Sequence, residues 1–165
     1  MQHLTRVLGV ALAVVGLSGS AQAANDPLIV WQGGATITSL NAVCRQNTGF
    51  AVGNLAHSIF RPRLVGDEPR SALSLLFTSS AQLIINSDAS DGDQMHGQGS
   101  YTGPLIRGRA TTVSGGVSGT YNFKIKPNVI TDTTKVIAIA GTINDFFGVV
   151  GCTMKFLGAY QRRPN

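Results

Sequence analysis

The run VSGTYNFKIK places Val117, Tyr121, Phe123 and Ile125 on one face and Ser118, Thr120, Asn122, Lys124 and Lys126 on the other. That period of two is the mark of a strand with one side in the core and one in water. The next run, KVIAIAGTI, puts Val136 and Ala138 on one face and Ile137 and Ile139 on the other, which predicts a central strand covered on both sides. The last run returns to alternation, with Val150, Cys152, Met154 and Phe156 pointing one way and Thr153 and Lys155 the other.

Similar short runs rich in Val, Ile, Thr and aromatic residues fill the rest of the chain, and no convincing helical period interrupts them. Turn residues separate them at Gly33-Gly34, Asn47-Thr48-Gly49, Gly66-Asp67-Glu68-Pro69, Ser87 to Gly92, Gly103-Pro104, Gly115-Gly116, Pro127-Asn128 and Asn144-Asp145. About eight to ten strands with short connections predict an all-β domain, a small antiparallel β-barrel or a two-sheet β-sandwich. The barrel is the preferred reading, because closure places early and late strands side by side and removes both sheet edges. A small outer-membrane β-barrel is the weaker alternative, since it needs longer strands, a lipid-facing apolar band and aromatic girdles.

The N-terminus changes the picture of where this domain works. Arg6 precedes the apolar run Val7 to Leu17, and the small-residue triplet Ala21, Gln22, Ala23 follows. This layout predicts a signal peptide over residues 1–23 and a single all-β domain over residues 24–165. The apolar run is about half the roughly 20 residues that span a bilayer, so no permanent membrane span is expected. Release of the leader leaves roughly 140 residues, enough for one domain with its own core. The expected location is exported, periplasmic or secreted.

Export bears on Cys44 and Cys152, the two cysteines of the chain. An even pair bound for an oxidising compartment reads as a disulfide. A nucleophilic thiol with His57 or His96 as partner is the competing reading, but neither cysteine lies in a local signature for such enzymes. The bond would close a loop of roughly 110 residues, worth about 4 to 5 kcal/mol in the chain-entropy model. It also requires an early strand and the final strand to approach within about 7 Å.

The formal net charge is +5, mildly basic and without the clustered cations and interleaved aromatics of a nucleic-acid binder. The acidic loop DASDGD resembles an EF-hand only in part: counted from Asp88, the required positions hold Ser90, Gly92, Asp93 and Gly99 after the first. A solvated turn is the better reading of Asp88, Asp91 and Asp93. SGGVSGTY lacks the Gly-x-Ser-x-Gly spacing of a nucleophile elbow, and no Gly-Lys-Ser/Thr follows to make a phosphate loop. His57 and His96 have no partners at metal-binding spacing. No catalytic residue, cofactor site or metal site is therefore assigned.

What remains is a recurrent basic pair: Arg61 and Arg63 in FRPR, Arg107 and Arg109 in IRGR, and Lys124 and Lys126 in FKIK. Residues two apart on a strand share a face. Neighbouring strands would then gather the four arginines into a surface for carboxylate, sulfate or phosphate groups. Phe146 and Phe147 cannot both be buried on an extended segment, so both are expected under the turn before Gly148, or one at a barrel end and one at its rim. Together these readings describe an exported, noncatalytic binding or envelope-associated domain that recognises a small anionic ligand or an anionic envelope component. A small enzyme with a pocket inside the barrel is the alternative from a different class.

Overall fold

The computed structural model describes residues 30–61, 71–87, 95–108, 110–111, 116–131 and 133–163. The leader expected over residues 1–23 therefore lies outside the described residues. Strand β1 (Trp31–Leu40) leads into a short helix α1 (Ala42–Asn47), and β2 (Leu55–Arg61), β3 (Ala72–Phe77) and β4 (Ala81–Ser87) follow. Next come β5 (Gly97–Gly103), β6 (Leu105–Arg107), β7 (Ala110–Thr111), β8 (Val117–Lys126), β9 (Val136–Asn144) and β10 (Thr153–Arg162). All pairings are antiparallel, and they close on themselves as an eight-stranded barrel with one extra strand.

The connectivity is simpler than the strand count suggests. β5 and β6 meet β4 in one uninterrupted register, from Ser87↔Tyr101 to Ala81↔Arg107, and Ile84 donates its N–H to the Pro104 carbonyl between them at 3.1 Å. Pro104 lacks an N–H and so divides a continuous strand without ending it. β7 folds back on β6 through Ile106↔Thr111 and leads into β8. The barrel is thus an up-and-down meander in which each stave neighbours the next, closed where β10 pairs with β1.

Alternation decides what fills it. Inward positions carry Trp31, Phe60, Tyr101, Tyr121, Phe123, Phe156 and Tyr160 among Ile, Leu and Val, all buried. Rings of this size fit because glycines face them: Tyr121 covers Gly99, and Phe123 covers Gly141 on the neighbouring strand. Interior hydroxyls are paired, Ser58 with Tyr160 at 3.0 Å and Ser87 with Tyr121 at 2.8 Å. On β8 the outward residues are exposed as the sequence pattern predicts.

Several expectations change. β9 is covered on one side only, for Val136 is 57% exposed and Ala138 and Ala140 also face out. Its apolar run misled because alanine is apolar without needing burial. Gly33-Gly34 and Gly103-Pro104 do not separate strands: the first pair lies within β1, and the second continues β5 into β6. A helix exists where none was expected, although it has only six residues. Val150 does not share the buried face of Cys152 and Met154, because it stands in the turn before β10 and is 86% exposed.

A cleft at the disulfide-capped end

Four connections meet at one end of the barrel: the α1 segment between β1 and β2, the β3–β4 turn, the β6–β7 turn and the β9–β10 turn. Asn41 organises the first and last of these. Its side-chain oxygen accepts from Cys44 N at 3.0 Å and from Thr153 N at 3.2 Å, while its amide donates to the Gly151 carbonyl at 2.8 Å. One N-cap thus satisfies the helix and ties it to the far turn. The Cys44–Cys152 disulfide lies beside it, with Cα atoms 4.6 Å apart and both residues fully buried. The expected approach of an early strand to the final strand is corrected in one respect: Cys44 belongs to α1, and Cys152 immediately precedes β10.

The next residues turn an aromatic ring inward. Thr48 donates its hydroxyl to the Cys44 carbonyl at 2.7 Å and accepts from Phe50 N at 3.2 Å. Phe50 lies 4.5 Å from Phe77, 5.5 Å from Phe146 and 4.8 Å from Phe147, measured between ring centres. Both rings of the Phe146-Phe147 pair are buried, as the reading under the turn requires. Asp145, Phe147 and Gly148 all have left-handed φ values, +54°, +60° and +73°. This tight winding, held by Gly151 N donating to Asp145 Oδ1 at 2.8 Å, brings adjacent side chains to the same core.

Above these rings opens a cleft of about 590 Å³. Phe50, Phe77 and Phe147 form its floor, Thr48, Asn54, Thr78 and Ser79 line it with neutral polar groups, and Arg107 contributes the positive charge. The Arg107 guanidinium stands 5.8 Å from the Phe147 ring centre, within cation–π range. It remains exposed, and no carboxylate is among the described lining residues. Such a wall can receive an oxyanion bidentately, while the floor accepts an apolar body.

Two buried tyrosines are structural, Tyr101 beneath this end and Tyr160 toward the opposite one. Tyr101 donates to the Asn144 and Asp145 carbonyls at 3.2 and 3.3 Å. Burial, then the Asp145 charge, pushes its phenol well above the ordinary tyrosine range. Burial likewise pushes Tyr160 up to about 12, opposed by its hydrogen bond with Ser58.

Of the sequence-derived arginines, the two described ones separate. Arg61 ends β2 at the opposite end of the barrel from Arg107, which precedes the β6–β7 turn. The structure does not bring these two together, and Arg63 and Arg109 lie outside the described residues, as do Asp88, Asp91 and Asp93. His57 is exposed and hydrogen-bonds Gln32 at 2.9 Å, whereas His96 accepts from Ile125 N at 3.1 Å. Among the described residues no three His, Cys, Asp or Glu side chains converge as metal ligands, and no helix is long and apolar enough to cross a membrane. A second hollow, about 540 Å³, lies on the outer surface over β5, β8 and β9, lined by Gln98, Ser100, Thr120, Asn122 and Asn144 among others.

Sequence reasoning missed Phe50, Phe77, Thr78 and Ser79 because nothing local marks them. They become neighbours only when separate turns meet at one barrel end. Comparison with protein-family models, curated proteins and solved structures finds no match to this chain.

Proposed function

We propose that the chain is an exported, noncatalytic binding domain that holds an anionic group at the capped end of its barrel. Arg107 supplies the contact, and the observation that carries the reading is its exposed guanidinium on a cleft wall with an aromatic floor. The ligand class is a carboxylate, sulfate or phosphate on an apolar or aromatic body, and an anionic envelope component would present the same oxyanions. Support for export comes from the leader-like N-terminus and the disulfide. Binding is preferred to chemistry because the described polar lining consists of hydroxyls, one amide and a guanidinium, with no nucleophile beside a base. It is preferred to a lipid-facing barrel because outward positions on β5 and β8 carry amides, hydroxyls and lysines around an apolar interior.

Calorimetric titration with phenyl phosphate and with inorganic phosphate tests this reading. Saturable binding of phenyl phosphate, weaker binding of inorganic phosphate and loss of affinity as salt rises are expected. Absence of phenyl phosphate binding at low salt, or binding indifferent to the aryl group, would contradict it.

A further inference from the structure

The polar side chains of the cleft are not equally available to a ligand. The Thr48 hydroxyl is occupied within the fold, donating to the Cys44 carbonyl and accepting from Phe50 N. Asn54 Oδ1 accepts from Ala51 N at 2.8 Å, which leaves its Nδ2, an atom that can only donate. Among the described residues nothing accepts from Asn54 Nδ2, and nothing pairs with the exposed hydroxyls of Thr78 and Ser79. The Arg107 guanidinium is likewise donor-only. What the described lining offers a ligand from its side chains is therefore two fixed donors and two hydroxyls able to donate, with no side chain confined to accepting. These groups are also neighbours. The last pair of β2 and β3, Ala56↔Phe77, sets Asn54 beside the β3–β4 turn that holds Thr78 and Ser79. On the other side of that turn, the Ala81↔Arg107 pair and the 3.1 Å bond from Gly108 N to the Ser80 carbonyl seat Arg107 against it.

Resting on the reading of Arg107 as the anion contact, we infer that the cleft selects a tetrahedral oxyanion, a sulfate or phosphate ester, over a carboxylate, and that Asn54, Thr78 and Ser79 set this preference. A guanidinium fork binds two oxygens in its own plane. A carboxylate has only two, so the fork completes it and the other donors stay on water. A sulfate or phosphate ester carries a further acceptor oxygen outside that plane, and that oxygen needs a donor of its own. The β3–β4 turn and Asn54 supply it from beside Arg107. The same donor excess disfavours a ligand that approaches through hydroxyl groups, because each hydroxyl proton would need an acceptor.

Calorimetric titration with phenyl sulfate and with benzoate, at neutral pH and one ionic strength, tests the inference by comparing a tetrahedral with a planar anion of equal charge. The wild type is expected to bind phenyl sulfate about tenfold more tightly than benzoate, the scale of one added charge-assisted hydrogen bond. Thr78→Val and Ser79→Ala alter exposed positions in a turn and should keep the wild-type melting profile. At least one of them should weaken phenyl sulfate binding by about threefold to tenfold and leave benzoate binding unchanged. Equal affinity of the wild type for the two anions overturns the inference alone and leaves the anion site standing. So do variants that both spare phenyl sulfate or that weaken the two anions alike. If neither anion binds, the reading of Arg107 falls together with the inference.

Discussion

Gly33 and Gly34 are adjacent in one strand, yet a methyl group added to each should have opposite consequences. On Gly33 it would overlap the Ala159 carbonyl oxygen and lie 2.8 Å from Tyr160 Cα, both backbone atoms of β10. Those atoms cannot rotate away as a side chain could. Accommodation requires β1 and β10 to separate at the Gly33↔Tyr160 pair, the seam that closes the barrel. Loss of about two ladder hydrogen bonds at roughly 1 kcal/mol each, with overpacking strain of roughly 1 to 3 kcal/mol, gives about 3 to 5 kcal/mol. On Gly34 the nearest atom is Ala56 O at 3.7 Å, an ordinary contact. There alanine should be neutral or stabilise by up to about 1 kcal/mol through lost unfolded-state freedom. For a domain of roughly 140 residues, an unfolding entropy near 0.3 kcal/mol/K converts 3 to 5 kcal/mol into a fall in Tm of about 10 to 17 °C. Thermal and urea unfolding of Gly33→Ala and Gly34→Ala provide the comparison. Equal stability of the two variants would refute the β1–β10 register.

Replacing Cys44 and Cys152 together by alanine should lower stability by about 4 kcal/mol, because their separation of 108 residues constrains much of the unfolded chain; chemical denaturation showing a loss under about 1 kcal/mol would refute this. Tyr160 should make the fold sensitive to alkali. Its folded pKa of about 12 exceeds the ordinary value of 10, so its contribution is complete below pH 10 and is lost as pH rises toward 12. Denaturation midpoints of wild type and Tyr160→Phe across that window should converge in slope if Tyr160 is ionised in the fold, and diverge if burial keeps it protonated as described.

The legible parts of this protein were those whose pattern is local. β8 announced itself because lysines and hydroxyls alternate with Tyr121, Phe123 and Ile125. The disulfide followed from an even cysteine count and an expected compartment. Gly33-Gly34 was opaque because glycine marks a turn in one dimension, whereas here it admits a neighbouring strand in three. α1 was too short to show a helical period, although Asn41 is a fitting cap. The two described arginines were legible only in part. Two-residue spacing fixes the side of a strand but not the end of the barrel, and Arg61 and Arg107 finish at opposite ends. The cleft had no signal of its own, since Phe50, Phe77, Arg107 and Phe147 come from four separate segments of the chain.

That division between the two arginines supplies the most direct test of the proposed function. Arg107→Gln and Arg61→Gln remove the same charge from opposite ends, so any effect of net charge alone is shared between them. Calorimetric titration of both variants with phenyl phosphate at one fixed ionic strength isolates the cleft. The account predicts about a tenfold or greater loss of affinity for Arg107→Gln, the scale of one charge-assisted hydrogen bond, with Arg61→Gln close to wild type. Equal losses in the two variants, or a greater loss at Arg61, would contradict it.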